Sequence, residues 1–583
     1  MRKLLYVILV ATLLFVGSGC SILGRRTAAD KTAASSSNVS EDYFSGKQES
    51  YFQYLRAQKL LKENRVDAAV AALEQVVAYD PAAILPRVEL ASLYLRQGKD
   101  DLALQTAMAA SKKDPASIKA RIILATIYSR RNQPEKAVEQ YEAILAQEPD
   151  NERAGFLLAS VLAAEKNYSR AYTLLKEIVR KNPDNLMATY YLGRVALELK
   201  RPQEAEELYQ RVLAARPYFE MALLDLGYLY ETQARFTEAE SLYKRMLEVD
   251  PDNEKALVKL GNLYLRQDRF RPALSIFQQV LAKDQTRMDV KVKVGLIHME
   301  LGDLQEAAEL FRDLLVTDEN NSEIHYYLGT VYEEMGNLSQ ALEELGKIPA
   351  DSPYGLKAQI SRAFILQKKG DMHGAIQCMQ RAVELYSQET DAYLYLGNLY
   401  ELAKQYTKAA QVLEKGLALD PDNQRLHFRL GVVFDKMGER QACVRQMEKA
   451  VALDPTDATA LNYLGYTLAE MGIRLAQAEK YIKQALKLKP DDPYITDSLG
   501  WVYFKMGRHR KALKWIKKAL EKLPDDPVIR EHLGDAYRAL GEWRQAEKAY
   551  ERALELGSEN RQKVEVKLQE SKTKVGNRKN TQK

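Results

Sequence analysis

The chain has 583 residues, far more than one hydrophobic core can organise, so its length excludes a single compact domain and leaves several domains or one extended array. Hydrophobic residues make up 46% of the chain and charged residues 28%, as in ordinary soluble proteins. A net charge of +5 over this length gives no indication of a polyanionic partner.

The first element is a short apolar run behind a basic start. Residues 1–3 are Met-Arg-Lys, residues 4–16 are almost entirely apolar, and Gly17-Ser18-Gly19-Cys20 follows. A run of thirteen residues is too short to span a bilayer, so the pattern predicts a secretory signal and not a transmembrane helix.

The small residues before Cys20 resemble the lipobox of bacterial lipoproteins, in which the cysteine becomes the lipidated first residue of the mature chain. The resemblance implies a signal peptide over residues 1–19 and a lipid on Cys20. Since Ser21 and not aspartate follows, it also implies the outer membrane, with the chain facing the periplasm. Gly17 stands where the family usually has leucine, so ordinary cleavage and an uncleaved anchor stay open as alternatives.

Residues 20–49 come next and are rich in serine, alanine and charge, with no sustained apolar period. This composition predicts a flexible leader. A flexible coil of about 28 residues has an r.m.s. reach of roughly 30 Å, so such a leader would tether the body of the protein near a membrane without forcing contact.

From residue 50 onward the sequence repeats itself. A glycine or alanine, called the anchor below, recurs every 34 residues, and one inserted residue shifts the last two anchors. Alanine follows most anchors after twelve residues, and a proline often closes the unit after 24. The anchors are Ala57, Ala91, Ala125, Ala159, Gly193, Gly227, Gly261, Gly295, Gly329, Ala363, Gly397, Gly431, Gly465, Gly500 and Gly534.

Each unit carries two apolar faces with a break between them. In the unit anchored at Gly500, residues 496–503 place apolar side chains at helical spacing, and residues 512–519 do so again. Gly507 lies at the break, where a helix end favours a left-handed residue. Each unit is therefore predicted to be a helical hairpin, with a small anchor because the two helices approach closely there.

The pattern resembles the tetratricopeptide repeat, which it follows over about 500 residues in fifteen units. The resemblance implies an all-α fold, a right-handed α-solenoid of about fifteen 34-residue hairpins. It also implies a concave wall lined by the first helix of each hairpin.

One unit departs from the pattern. Gly346 and Pro349 fall inside the expected second helix of the unit anchored at Gly329, and a helix interior rejects proline by about 3 kcal/mol. We therefore predict an early helix end and a bend near residues 346–356, between an N-terminal block (50–349) and a C-terminal block (350–558). A short helix without a change of curvature is the alternative. Residues 559–583 form a basic polar tail that is expected to cap the last repeat.

No catalytic or metal-binding motif occurs in the sequence. The six histidines are scattered over six units without metal spacing, and the sequence has no HExxH, CxxC, Walker-type, GxGxxG or GxSxG motif. We therefore predict no enzymatic activity, no cofactor and no metal. Cys378 and Cys443 lie in units separated by a whole repeat, so we predict two small buried side chains and no disulfide between them.

The basic residues around position 510 are interpreted as a solvated outer face. Arg508, Lys511, Lys514 and Lys518 follow helical steps on the side of the second helix away from its apolar residues. A nucleic-acid site would need a continuous basic stripe over many units, and the other repeats are rich in acidic residues, so we predict no nucleic-acid partner.

By resemblance, the concave wall is lined by residues six before, three before, one after and four after each anchor. In the last units these positions hold a group of aromatic and polar residues, which we call the aromatic cluster: Asn462, Tyr466, Tyr494, Asp497, Trp501 and Phe504. Aromatic side chains with a polar edge are common hot spots in interfaces, so the cluster predicts a surface that binds peptides or proteins. Packing between helices is the alternative.

Asn398, Arg425 and Arg429 form a second candidate site. They resemble part of the carboxylate clamp with which some tetratricopeptide repeats bind C-terminal peptide tails, although Leu394 stands where the clamp has lysine. The resemblance implies that these three residues bind a peptide carboxylate.

The last three units also resemble the C-terminal repeats of large bacterial outer-membrane lipoproteins, through their one-residue insertion and the segment Asp-Ser-Leu-Gly-Trp at 497–501. One member of that group is the lipoprotein partner of a periplasmic carboxyl-terminal processing protease. The resemblance implies a non-catalytic adaptor that brings this protease and its peptidoglycan hydrolase substrates together. The alternative is a structural part of an envelope export or assembly machine, for polysaccharide secretion or for a pilus secretin.

Overall fold

The computed structural model describes residues 39–581, with the side chains of residues 46–576. Within that range the chain forms 31 helices and no strand. The predicted signal peptide and Cys20 lie outside the described residues. The helices are α1 Val39–Lys62, α2 Val66–Tyr79, α3 Ile84–Arg96, α4 Asp100–Lys113, α5 Ile118–Arg130, α6 Pro134–Gln147, α7 Glu152–Ala164, α8 Tyr168–Lys181, α9 Leu186–Glu198, α10 Pro202–Ala215, α11 Glu220–Thr232, α12 Phe236–Val249, α13 Glu254–Leu265, α14 Phe270–Lys283, α15 Met288–Leu301, α16 Leu304–Thr317, α17 Ser322–Glu334, α18 Leu338–Gly346, α19 Gly355–Lys368, α20 Met372–Leu385, α21 Thr390–Leu402, α22 Tyr406–Leu419, α23 Gln424–Lys436, α24 Arg440–Leu453, α25 Ala458–Glu470, α26 Leu475–Leu488, α27 Pro493–Lys505, α28 His509–Lys522, α29 Pro527–Ala539, α30 Trp543–Glu555 and α31 Arg561–Thr581.

The helices pair into hairpins, α1 with α2 and so on to α29 with α30, and α31 follows the last pair. The chain divides into two compact units, with the boundary between Lys283 and Asp284. The first unit holds the hairpins from α1 to α14, and the second holds those from α15 to α30 together with α31. Within each unit the second helix of one hairpin packs on the first helix of the next, so apolar clusters extend across neighbouring hairpins.

The small anchors sit where the two helices of a hairpin touch. A Cβ atom on Gly227 would lie 2.6 Å from Cε1 of Tyr243, and Tyr243 is fully buried on the second helix of the same hairpin. The alanine twelve residues after this anchor, Ala239, is also fully buried. The predicted hairpins and their close approach at the anchor are confirmed.

The turn between the two helices of a hairpin adopts the predicted left-handed backbone. Gly507 has φ +73°. Several other hairpins place a larger residue at this point, such as Lys166 with φ +62° and Lys200 with φ +58°. A non-glycine residue costs about 1–2 kcal/mol in this conformation, which the packing of the two helices offsets.

The early helix end is confirmed, because α18 stops at Gly346 and is nine residues long where the neighbouring second helices have fourteen. The predicted division after residue 349 falls inside the second unit. The residues on either side of position 349 stay together because they share a core: Leu345 and Ile348 before this point cluster with Ala358 and Ile365 beyond it. The bend near residues 346–356 stays a prediction.

Both ends of the repeat array contain more helix than the sequence predicted. Helix α1 begins at Val39, inside the predicted leader, and the Ser50 hydroxyl donates to the carbonyl of Val76 on α2 (3.4 Å). The predicted polar tail contains α31, which buries Val564 and Ser571 against the last hairpin. Among the described residues, no helix is long and apolar enough to cross a membrane.

Candidate protein-binding surface

The candidate site lies on the first helices of the second unit. Successive first helices contact one another there, as α21 does with α23 and α25 with α27. Five of these eight helices begin at a polar side chain that caps them. Asp492, for example, accepts hydrogen bonds from the backbone N–H groups of Tyr494 (2.9 Å) and Ile495 (3.0 Å). These caps set the register that brings equivalent positions of neighbouring repeats onto one surface.

The structure brings Asn398, Arg425 and Arg429 together around one cavity of about 190 Å³, which we call the arginine cavity. Asn398 lies on α21 and the two arginines lie on α23. The other lining residues are Leu394, Gln424, Phe428 and Asp457.

Three of the lining residues were not predicted from the sequence. Phe428 stands three residues before its anchor, so the rule for wall positions could have found it. Gln424 and Asp457 follow no such rule, because they stand at the start of their helices, where Gln424 donates to Asp457 (2.8 Å) and Asp457 caps α25.

The two arginines of this cavity are held only weakly. Arg425 donates to the carboxylate of Asp391 (2.9 Å), and both side chains are more than half exposed. Arg429 lies 3.8 Å from the carboxylate of Glu401. The exposed pair of Arg425 contributes about 0.2–1 kcal/mol, and Arg429 stands beyond hydrogen-bond distance of Glu401, so an incoming carboxylate can compete for either guanidinium. The side-chain oxygen of Asn398 is buried, and no described residue donates to it.

The aromatic cluster is packed more tightly than its sequence suggested. The Trp501 side chain is only 7% exposed, and its indole N–H donates to Glu470 (2.6 Å). Phe504 and His532 both stack on the indole, with ring centroids 4.8 Å and 4.0 Å away. Burial raises the pKa of Glu470, but the indole N–H and the Lys505 ammonium outweigh burial and hold this pKa below its ordinary value.

The predicted residues of the aromatic cluster differ in their exposure to solvent, and so in their accessibility to a partner. Tyr494 is 56% exposed, whereas Asp497 and Trp501 are buried. Asn462, Tyr466 and Phe504 are half-buried. Packing between helices therefore accounts for the two buried side chains, while binding of a partner at the exposed part of the cluster stays a prediction.

His532 completes the cluster, although it was not predicted, because it stands two residues before its anchor and off the wall positions. It is buried, and its Nδ1 lies 2.7 Å from the Asp497 carboxylate. Burial alone lowers the pKa of His532, but the carboxylates of Asp497, Asp535 and Glu531 more than reverse this effect and raise the pKa above 6.5. The buried imidazole therefore favours its charged form.

We expect the packing of α27 on α29 to weaken as the pH rises. A raised folded-state pKa of His532 stabilises the fold fully below pH 6.5, and this stabilisation is lost as the pH rises through the folded-state value. The amide protection of α27 and α29 in hydrogen exchange should therefore fall between pH 6 and pH 9 by more in the wild type than in His532→Asn, which does not titrate there.

An NMR titration of the His532 ring gives the second readout of this prediction. Its pKa should lie above 6.5, and Asp497→Asn should bring it down because the nearest carboxylate is removed. Equal pH dependence of the wild type and His532→Asn would contradict the prediction.

Cys378 and Cys443 are both free thiols, the first half-buried and the second buried. Burial, together with the Asp435 carboxylate, raises the pKa of Cys443 to about 12, so this thiol stays protonated at neutral pH. Across residues 39–581 no group of histidine, cysteine and acidic side chains has the arrangement of a metal site.

Three protein-family models match parts of the chain. They are the tetratricopeptide repeat over residues 60–118, the tetratricopeptide repeat protein 21 C-terminal ARM domain over residues 101–296, and the cilia and flagella-associated protein 70 C-terminal domain over residues 318–568. Together these matches support tetratricopeptide repeats along the chain. Tetratricopeptide repeat stacks present extended surfaces that bind other proteins or peptides, so this fold is a scaffold suited to protein–protein interaction.

Solved structures similar to this chain include the APC/C hetero-tetramer Cut9–Hcn1, at 18% identity over 84% of this chain and 96% of that chain, with a TM-score of 0.34. Naa15/Naa10 bound to HypK-THB matches at 13% identity over 91% and 97%, with a TM-score of 0.33. MamA matches at 26% identity over 29% and 93%, with a TM-score of 0.27. A search of curated proteins found no match.

Proposed function

We propose that this protein is a non-catalytic scaffold, anchored to the outer membrane through Cys20, that binds partner proteins by their peptide segments. In this proposal it is an adaptor that holds a periplasmic carboxyl-terminal processing protease beside its peptidoglycan hydrolase substrates. The signal-like residues 1–19 and the likeness of residues 497–501 to a group of lipoproteins support the anchor and the adaptor role.

The arginine cavity is the observation that supports binding of peptides most directly. A guanidinium binds a carboxylate through two parallel hydrogen bonds, and Arg425 and Arg429 offer two such groups on one helix face. The unpaired side-chain oxygen of Asn398 can accept a peptide N–H beside them. A peptide C-terminus presents a carboxylate and an N–H group a few ångströms apart, so we propose it as the ligand of this cavity.

An adaptor needs no catalytic group of its own. When two proteins bind the same scaffold, their encounter becomes intramolecular, with an effective concentration that can reach the millimolar range. A lipid on Cys20 would confine this encounter to the membrane surface and to proteins near the cell wall.

Binding of C-terminal peptides tests the site. We expect the full chain to bind peptides copied from the C-termini of envelope proteases and peptidoglycan hydrolases, and to lose that binding when the peptide carboxylate is amidated. The double variant Arg425→Ala/Arg429→Ala should weaken binding by about tenfold for each guanidinium removed, since each charge-assisted contact contributes about 1.4 kcal/mol. Fluorescence anisotropy measures the dissociation constants.

Arg180→Ala is the matched control, because Arg180 pairs with Glu177 on its own helix in the first unit. Equal binding of free and amidated peptides would contradict a carboxylate site. The same double variant tests the adaptor role when the lipidated protein is captured from membranes. Absence of both the protease and the hydrolases from the wild-type eluate would contradict that role.

A further inference from the structure

The first hairpin exposes an apolar position that nearly all of the other hairpins bury. Phe52 stands five residues before its anchor and is 59% exposed. In thirteen of the other hairpins the residue at this position is at most 3% exposed. Those residues are Ala120, Ala154, Ala188, Ala222, Ala256, Val290, Ile324, Ala358, Ala392, Leu426, Ala460, Ile495 and Ile529.

In a later hairpin this position is covered by the second helix of the hairpin before it. Leu426 shows the contact, because its Cδ1 lies 3.0 Å from where a Cβ atom on Gly416 would stand, and Gly416 belongs to the preceding second helix. Helix α1 is the first described helix, and no described residue covers Phe52 in this way. The outer face of α1 is therefore an apolar surface that the described part of the chain leaves open.

Other side chains extend this open face along α1. Tyr51 is 66% exposed and Leu55 is 52% exposed, one turn apart on the same side as Phe52. Lys59 and Lys62 continue the same helical face toward the end of α1 and are exposed, and Lys59 makes only a loose ion pair with Glu63 (3.8 Å). We call Tyr51, Phe52, Leu55, Lys59 and Lys62 the α1 outer face.

We infer that the α1 outer face binds a lipid surface. Aromatic and aliphatic side chains beside lysines are the composition with which a helix lies in the headgroup region of a bilayer, the apolar groups inserted and the ammonium groups on anionic lipid. Tyrosine and phenylalanine bring large apolar area to such an interface, and each lysine near an anionic surface contributes about 1 kcal/mol.

The position of α1 in the chain favours a membrane over a second protein. This step rests on the proposed lipid at Cys20, since 18 residues separate Cys20 from the start of α1 at Val39. A chain of that length reaches at most about 60–65 Å even when fully extended, so the lipid would keep α1 near the bilayer. The open face would then add a second contact to the single lipid anchor and orient the first hairpin against the membrane.

Vesicle binding tests the inference without the lipid anchor. The probe is the proposed mature chain, residues 20–583 with Cys20→Ser, mixed with vesicles of phosphatidylethanolamine, phosphatidylglycerol and cardiolipin. We expect co-sedimentation with these vesicles, about tenfold weaker for Phe52→Ser and about tenfold weaker again for the double variant with Leu55→Ser, because each serine removes an inserted apolar side chain. Lys59→Glu should remove the preference for anionic over zwitterionic vesicles.

Val316→Ser is the matched control, because Val316 is an exposed apolar side chain in the second unit, and we expect it to leave vesicle binding unchanged. Equal binding of wild type and Phe52→Ser would overturn the inference. So would a wild-type dimer that Phe52→Ser dissociates in analytical ultracentrifugation, because a second copy would then cover this face. Neither result bears on lipidation of Cys20, which incorporation of labelled palmitate into the full-length precursor tests separately.

Discussion

Replacement of Gly227 by leucine is expected to destabilise the hairpin of α11 and α12 by about 3 kcal/mol. Even a Cβ atom at this position would lie 2.6 Å from Cε1 of Tyr243 and 2.9 Å from its hydroxyl oxygen. The ring cannot move aside easily, because its hydroxyl donates to the buried carboxylate of Glu231 (2.5 Å), which also accepts from Arg266 (2.9 Å). The two helices must separate to admit the new side chain.

Hydrogen exchange measures this effect in the full chain, since a stack of repeats opens locally and not as one unit. Amide protection in α11 and α12 should fall about a hundredfold, which corresponds to about 3 kcal/mol, and should fall much less in distant hairpins.

Gly346→Leu is the control, because no atom outside its own helix lies within 4 Å of a Cβ built at that position. Its effect should stay within about 1 kcal/mol, as leucine is a good helix former in open space. Similar protection losses from both substitutions would show that helix contact at the anchor is not the cause.

The repeat period predicted the hairpins well, because a small anchor is required wherever two helices come this close. It did not predict what packs on the anchor. In most units with a glycine anchor that residue stands sixteen positions later, and it is Tyr243 opposite Gly227 but Leu413 opposite Gly397. Its size depends on how neighbouring hairpins fill the same volume, and a pattern within one unit does not contain this information.

Only some features of the candidate sites could be predicted, because the others also depend on contacts between neighbouring hairpins. Wall positions counted from the anchor found Trp501 and Asn398, since the hairpin geometry repeats. The same count could not show that Trp501 would be buried, because the ring that covers it belongs to His532 on the next first helix. Asp457 reaches the arginine cavity as a helix cap, and the anchor count does not identify such residues.

The C-terminal helix α31 combines a strongly basic composition with one face that packs on the last hairpin. The segment from residue 561 is strongly basic, and its composition predicted a polar tail that caps the last repeat. Val564, Leu568 and Ser571 nevertheless follow one helical face, and this face packs on the last hairpin. Long basic side chains keep their charged ends in water while the stripe between them is buried.

Removal of the Asp535 carboxylate is expected to release much of this contact. Asp535 is buried on α29 and accepts hydrogen bonds from the Tyr550 hydroxyl on α30 (2.7 Å) and from the Lys567 ammonium on α31 (2.7 Å). In Asp535→Leu the Tyr550 hydroxyl loses its acceptor and Lys567 keeps only Glu531 (2.8 Å). We expect a loss of about 3 kcal/mol, measured as about a hundredfold lower amide protection of α31 around residues 564–571.

Glu570→Ala separates this buried contact from ordinary surface charge. Glu570 also joins α31 to α29, through Arg538 (2.8 Å), but both of these side chains are substantially exposed. Such a pair contributes about 0.2–1 kcal/mol, so protection of α31 should fall less than tenfold. Both substitutions remove one acidic group that links the same two helices. The difference between their losses of amide protection in α31 therefore measures the effect of burying Asp535. If the two variants exposed α31 equally, long-range charge and not the buried carboxylate would hold this helix in place.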